Sequence, residues 1–269
     1  MLSASVSAPR AFAAPAGRPA AAARRAAVTA RAQRDEAALA VGRRGLFSLV
    51  AGAAAVSVAD PAAAAGGKEV GNYLPAAGID DFVRYTPGKQ ATPAIRAGTV
   101  SPDSPYTFAI PPTWSEERVA NIASGNYCQP RCVEPWTEVI FSNPREGRCE
   151  IIVAPLERLT PRKNPKIEEI GDTQGVLNSI GQFLTGNFLE QEDVVSQDKT
   201  TFDDSDLVYY TYELNAPDAL TGPHILAQIT AKGELALMIK VTADEKQWKA
   251  SQDKLRKLTR SFRASVPRA

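Results

Sequence analysis

The side chains best suited to chemistry are two cysteines four positions apart, Cys128 and Cys132. Pro130 lies between them and disfavours a regular helix, which predicts that both thiols lie on a loop. Gly125 and Pro130 favour a bent loop, so we expect the two cysteines to pair with each other. The disulfide would contribute only roughly 2 kcal/mol to the free energy of unfolding, because the ring that it closes is small. The spacing does not decide between a permanent staple in an oxidising compartment and a reversible redox bridge.

The remaining cysteine and the only histidine are interpreted as structural residues. Cys149 has the same strand parity as Ile151 and Val153, which predicts a free thiol buried in the core. His224 has no serine or cysteine placed beside it in the sequence, so we expect a hydrogen-bonded structural residue rather than a catalyst. A zinc site is disfavoured, since zinc takes about four ligands and few are available.

The densest group of carboxylates comprises Asp203, Asp204 and Asp206. Calcium takes about six to eight oxygen ligands, and this stretch lacks the Asp-x-Asp-x-Asp-Gly pattern of a calcium loop. A solvated hairpin turn is therefore favoured, with weak calcium binding as the alternative. The chain contains no glycine-rich phosphate loop, nucleophile elbow or metalloprotease motif, and we expect a protein that is not an enzyme.

Two consecutive targeting patterns precede the rest of the chain. Residues 1–34 contain six arginines and no acidic residue, which is typical of an organelle transit peptide; a disordered basic tail is the alternative. Residues 35–65 place Arg43 and Arg44 before an apolar run of about 14 residues, too short for a membrane span of roughly 20. Together they predict import into the chloroplast and then transfer across the thylakoid membrane by the twin-arginine route.

The chain that follows this leader is mildly acidic. Removing the eight arginines and three acidic residues of the leader leaves 23 basic and 27 acidic residues, a net charge of about −4. Such a charge argues against nucleic acid as a partner. Residues 66–105 are rich in proline and glycine, and we interpret them as an extended arm that lies on the domain or on a partner. Residues 106–269 form the predicted domain.

Within that domain the apolar pattern predicts strands and two helices. The predicted strands are 106–110, 137–142, 148–154, 207–214, 225–231 and 234–242. The first helix runs from Gln174 to Leu184, with Asp172 or Thr173 as its N-terminal cap and Gly186 as the residue that terminates it. Its apolar face comprises Val176, Leu177, Ile180, Phe183 and Leu184. The second starts at a capping box over 242–245 and runs to about Phe262, burying Trp248, Leu255, Leu258 and Phe262. This order predicts an α+β fold with helices on the faces of an antiparallel sheet.

Several short motifs resemble the PsbP-domain proteins of the thylakoid lumen. The strand 106–110 with the Pro-Pro-Thr-Trp that follows, and the C-terminal stretch 245–262, are similar to the family in general. The stretches 121–132 and 219–224 are similar to one lumenal branch of it. The resemblance covers about residues 73–262. It implies an α-β-α sandwich in which a central antiparallel sheet is flanked by helices.

The resemblance also implies a function. It implies a peripheral accessory protein on the lumenal side of photosystem II or of another thylakoid complex. Such a protein would support the oxygen-evolving complex, with its calcium and chloride, or photosystem assembly. In the matching branch the cysteine pair, here Cys128 and Cys132, is implied to form a redox-sensitive disulfide. The alternatives are a thiol redox enzyme or sensor using that pair, and a calcium-binding protein. A redox enzyme typically has Cys-x-x-Cys near a βαβ unit, which this chain lacks.

Overall fold

A seven-stranded antiparallel sheet forms the centre of the molecule. The computed structural model describes residues 67–89, 91–124, 134–203 and 205–265. The strands within these ranges are β1 (Val83–Tyr85), β2 (Phe108–Ile110), β3 (Ser115–Glu117), β4 (Trp136–Asn143), β5 (Gly147–Pro155), β6 (Val194–Phe202), β7 (Ser205–Asn215), β8 (His224–Lys232) and β9 (Leu235–Ala243). The large sheet has the order β3-β4-β5-β9-β8-β7-β6, and β1 pairs with β2 in a separate two-stranded sheet.

Helices pack on both faces of this sheet. They are α1 (Pro93–Arg96), α2 (Ile167–Ile170), α3 (Thr173–Thr185) and α4 (Glu245–Arg260), with 3-10 turns at Val70–Asn72, Asn121–Ala123, Leu156–Arg158 and Gln191–Asp193. Asp172 caps α3 by accepting a hydrogen bond from the Gly175 amide at 2.7 Å, and Gly186 ends the helix with φ of 72°. None of the described helices combines the length and apolarity needed to cross a membrane.

The start of α4 differs from the predicted capping box over 242–245. The Asp244 side chain accepts a hydrogen bond from the Gln247 amide at 2.7 Å, and the Gln247 side chain accepts one from the Asp244 amide at 2.8 Å. Thr242 and Ala243 are still paired with β8. The cap is therefore Asp244, because the strand continues to Ala243, one residue further than the predicted end at residue 242.

Successive side chains of the central strands alternate between two separate hydrophobic cores, one on each face of the sheet. Cys149, Ile151 and Val153 of β5 face the core covered by α4, whereas Ile152 faces the core covered by α2 and α3. Every residue of β9 is buried, since both faces of this strand are covered. The layers confirm the predicted α+β class, a central antiparallel sheet flanked by helices.

The two predicted helices bury most of the expected side chains, but Trp248 of α4 is only partly buried at the edge of the core and Phe183 of α3 is exposed. The buried residues of the two faces include Val176, Leu177, Ile180 and Leu184 from α3, and Leu255, Leu258 and Phe262 from α4 and its end. Phe183 was expected on the same face as its neighbours, but it is 45 % exposed. It lies at the margin of the apolar stripe of α3, where helix rotation carries its ring past the sheet.

Residues 67–89 and 91–105 lie on the domain, one of the two arrangements expected for the arm, and they contain regular structure. Phe82 and Tyr85 are buried in the core beneath α4, and β1 runs antiparallel to β2. The Lys232 ammonium donates hydrogen bonds to the carbonyl oxygens of Ser104 and Ala264, both at 2.8 Å. This lysine ties the arm to the C-terminal segment. The strand and helix of the arm were not predicted, because elements this short show no readable period.

Candidate functional site

The predicted cysteine site can be described only through the residues that hold it. Cys128 and Cys132 lie outside the described residues, as do Arg43 and Arg44 of the targeting signal. The pairing of the cysteines therefore remains a prediction. The two ends of their loop, residues 121–124 and 134–138, are described and define the base of the site.

The upstream end of the loop is a 3-10 turn, Asn121–Ala123. Ser124 follows it and is buried, and its hydroxyl donates a hydrogen bond to the Asn121 carbonyl oxygen at 2.8 Å. Ile122 in this turn is 78 % exposed. The last described residue before the cysteines, Ser124, is therefore anchored inside the protein.

The downstream end is anchored by a tryptophan and a buried carboxylate. The Trp136 indole nitrogen donates a hydrogen bond to Oε1 of Glu138 at 2.6 Å, and the Ala94 amide donates to the same oxygen at 2.8 Å. Ala94 belongs to the first turn of α1, so a side chain of β4 caps a helix of the arm. Glu138 thereby joins the exit of the cysteine loop to the arm.

Glu138 is held in an environment that disfavours its charge. The residue is 3 % exposed, and burial raises the pKa of its carboxyl, although the nearby Thr92 hydroxyl, the Ala94 and Trp136 hydrogen bonds and the Arg96 charge oppose the shift. Its second oxygen, Oε2, is buried without a hydrogen-bond partner within the described ranges, as are the Tyr106 hydroxyl and Thr92 Oγ1. Burial and nearby charges, including that of Glu138, raise the pKa of Tyr106 well above its usual value.

Sequence analysis did not single out Glu138. The pairing of β4 with β5 shifts between Thr137 and Val139, which makes Glu138 the extra residue of a β-bulge. The bulge changes the parity of the strand and turns a carboxylate inward. One feature of the sequence could have identified Glu138. It is a charged residue within an otherwise apolar strand, two positions after Trp136.

Cys149 is the free, buried core residue that strand parity predicts. It is fully buried on β5, and burial raises the pKa of its thiol well above the usual range. A thiol without access to solvent and without a stabilised thiolate is a poor nucleophile. Any thiol chemistry of this chain is therefore left to Cys128 and Cys132.

His224 makes the structural contacts that were expected of it. Its Nε2 lies 3.1 Å from Oε1 of Glu245, and its ring stacks on Trp248. The Arg256 guanidinium lies 5.0 Å from the centre of the Trp248 ring and pairs with Glu213 at 2.7 Å. These contacts join β7, β8 and α4 beside the core.

The aspartates considered for calcium lie at a turn. Asp203 and Asp206 are exposed where β6 leads into β7, and Asp204 lies outside the described residues. Across the described ranges no three or more His, Cys, Asp or Glu side chains are grouped closely enough to hold a metal ion. Calcium binding by the full set of three aspartates remains a prediction.

Comparison with known proteins identifies the family. The sequence pattern of the PsbP family matches residues 99–264. The chain belongs to the PsbP family. PsbP domain-containing protein 6, chloroplastic, of Arabidopsis thaliana is 45% identical over 204 residues, covering 75% of this chain and 76% of the relative. PsbP domain-containing protein 4, chloroplastic, of the same plant is 32% identical over 165 residues, covering 61% and 57%.

The solved structures that the chain is similar to include the solution structure of cyanobacterial PsbP (CyanoP) from Synechocystis sp. PCC 6803. The match is 18% identical, covers 71% of this chain and 96% of that chain, and has a TM-score of 0.43. The PsbP match begins at residue 99, yet Val70, Phe82 and Ile95 before that point are buried in the same core. In this PsbP-family protein the core therefore extends beyond the matched region.

Proposed function

We propose that this PsbP-family protein is a non-enzymatic accessory protein of the chloroplast thylakoid lumen. It associates peripherally with photosystem II or with another photosynthetic membrane complex, and it supports oxygen-evolving-complex function or photosystem assembly. The observation that carries the proposal is the 45% identity with a chloroplastic PsbP domain-containing protein over most of both chains. The transit-type residues 1–34 and the twin arginines Arg43 and Arg44 point to the same compartment.

The location is tested by import of the full chain into isolated chloroplasts. The double substitution Arg43→Lys with Arg44→Lys keeps the charge but removes the arginine pair, and we expect an intermediate that stays in the stroma. Arg24→Lys with Arg25→Lys changes another adjacent pair, within the transit-type segment, and should still reach the lumen. Normal lumenal import of the first variant would overturn the twin-arginine route.

The association is tested by native electrophoresis of thylakoids that contain a tagged full chain. We expect the protein to migrate with a photosystem complex and to be released by a high-salt wash, as peripheral binding through polar contacts requires. A protein that remains in the soluble lumenal fraction, with no complex retaining it, would contradict the accessory role. Migration with photosystem II rather than with other complexes would identify the partner.

A redox role of Cys128 and Cys132 is the second candidate function. The full burial of Cys149 favours it, because thiol chemistry is then left to the other two cysteines. The loop base is anchored through Trp136 and Glu138 to the arm, so a bridge that opens changes the loop without removing its anchors. Loss of partner binding on reduction would support a regulatory bridge. Turnover of a dithiol substrate would instead support a thiol redox enzyme.

Calcium binding is the third candidate and is tested at the β6–β7 turn. Calorimetric titration of the full chain with calcium should show heat that is absent from the variant Asp203→Asn with Asp206→Asn. An identical titration for both chains would exclude these aspartates as ligands.

A further inference from the structure

Two of the most exposed apolar side chains belong to neighbouring loops. Phe188 is 78 % exposed on the loop that follows α3, and Leu220 is 79 % exposed on the loop between β7 and β8. A single exposed leucine or phenylalanine is ordinary on a protein surface. Phe188 and Leu220 differ from such isolated cases, because the loops that carry them are hydrogen-bonded to each other.

The two loops are joined by hydrogen bonds and by packing. The Leu220 amide donates to the Thr185 carbonyl oxygen at 2.8 Å, and the Asn187 side-chain amide donates to the Asp218 carbonyl oxygen at 3.4 Å. The Leu220 side chain lies against Gly186, where an added Cβ would be 3.0 Å from its Cδ1. Gly186 has φ of 72°, which further disfavours a side chain there. The loops therefore hold one arrangement before any partner binds.

The shape of the second loop is explained by the fold, but the exposure of Leu220 is not. Gly222 has φ of 115°, and a Cβ there would lie 2.9 Å from the Ala243 carbonyl oxygen. This close approach accounts for the glycine in the motif 219–224. Leu220 contributes to neither core. Its amide is nevertheless held by the Thr185 carbonyl oxygen, and its side chain lies against Gly186.

Carboxylates adjoin the two apolar residues in the sequence. Glu190, Glu192 and Asp193 follow Phe188 in the chain, and Asp218 precedes Leu220. The described residues provide no ion-pair partner for any of these four carboxylates. The hydrogen bond and charge of Glu192, with burial and the charges of Asp193 and Asp218, raise the pKa of Glu190. The four groups therefore share one negative region of the surface.

We propose that this surface, formed by Phe188, Leu220, Glu190, Glu192 and Asp218, docks a protein segment in which an apolar side chain is flanked by lysine or arginine. The apolar pair provides the contact that excludes water, and the carboxylates select a basic partner and orient it. An anionic lipid surface would be repelled by the same carboxylates. A second copy of this surface would bring like charges together.

The test uses a random peptide library selected against the immobilised full chain, followed by affinity measurements on selected peptides. We expect enrichment of peptides with lysine or arginine beside aliphatic or aromatic residues, and affinity that falls as salt increases. The variant Phe188→Ser with Leu220→Ser should bind these peptides at least about tenfold more weakly, as should Glu192→Lys with Asp218→Lys. Ile79→Ser, at an exposed apolar residue on a turn of the arm, is the control and should bind as the unmodified chain does.

Each other outcome overturns the proposal. Enrichment of peptides without basic residues would contradict the charge complementarity. Peptides that no longer bind the Ile79→Ser variant but still bind the Phe188 and Leu220 variant would place the contact elsewhere. Concentration-dependent dimerisation abolished by Phe188→Ser with Leu220→Ser would show that the surface joins copies of this chain. Binding to phosphatidylglycerol vesicles, abolished by the same variant, would show a lipid surface. A library without enrichment above an unrelated acidic protein would show no docking surface.

All the substituted side chains are exposed, and circular dichroism of each variant confirms that the fold is kept.

Discussion

The imidazole of His224 lies flat against the indole of Trp248, with ring centroids 4.6 Å apart and planes inclined by 7°. His224 is the first residue of β8, and Trp248 lies in the first turns of α4. Nε2 of the same imidazole lies 3.1 Å from Oε1 of Glu245, at the start of that helix. One strand end thus fixes the beginning of α4 by a stack and a hydrogen bond together.

Replacing His224 separates these two contributions. His224→Ala removes both, and we expect the free energy of unfolding to fall by about 1–2 kcal/mol. His224→Phe keeps an aromatic ring on Trp248 and should lose less. Urea unfolding of both variants measures the difference. Equal stability of His224→Ala and the unmodified chain would show that α4 is held by its other contacts alone.

Leu258 should be among the side chains on which the α4 core depends. It is fully buried between α4 and the sheet, so Leu258→Ala should reduce the free energy of unfolding by about 2–5 kcal/mol. Leu220→Ala is the matched control, because Leu220 is mostly exposed, and it should change stability by no more than about 0.5 kcal/mol. Thermal or urea unfolding checks both. An unchanged melting temperature for Leu258→Ala would mean that the helix does not seal this core.

The raised pKa of Glu138 predicts a pH dependence of stability. Because the folded state holds the Glu138 proton more tightly than the unfolded state, this group contributes stability that is fully present below the unfolded pKa of about 4.5. That contribution is lost as the pH rises through the higher folded pKa. Glu138→Gln stays neutral and can keep the acceptor for Ala94 and Trp136, so the decline of stability over this pH range should become shallower.

The control for this experiment is Glu134→Gln, which removes a carboxyl that is mostly exposed and paired with Arg158 at 3.0 Å. Urea unfolding between about pH 4 and pH 7 provides the comparison. A slope that changes equally in both variants would show that the effect is general to surface charge and does not come from Glu138.

The cysteine loop should respond to reduction without loss of the fold. With Cys128 paired to Cys132, reduction is expected to increase hydrogen exchange between Ser124 and Pro135 while the sheet stays protected. Cys149 should resist alkylation until the protein is unfolded, because it is fully buried. Peptide mapping of the oxidised chain identifies the bridge, and Cys128→Ser with Cys132→Ser should reproduce the reduced state. A bridge containing Cys149, or global unfolding on reduction, would contradict the loop hypothesis.

The strands and helices with strong local patterns were predictable. The two hairpins β4–β5 and β8–β9, the strand β7 and the helices α3 and α4 all occur where apolar periodicity and turn residues place them. The edge strand β6 was missed, because its residues are polar or exposed on most of its length and show no alternating apolar pattern. Phe183 was misplaced for a related reason, since periodicity alone does not give the width of a helix face.

The sequence by itself determined the family and the α+β class, because these depend on local periodicity and on motifs within single segments. It also indicated that Cys149 lies in the core, from strand parity alone. Only the tertiary structure decided that Glu138 turns inward at a bulge to cap α1, and that the loops carrying Phe188 and Leu220 are hydrogen-bonded to each other. Both arrangements join residues more than 30 positions apart, and such contacts depend on how whole elements pack, which no local pattern records.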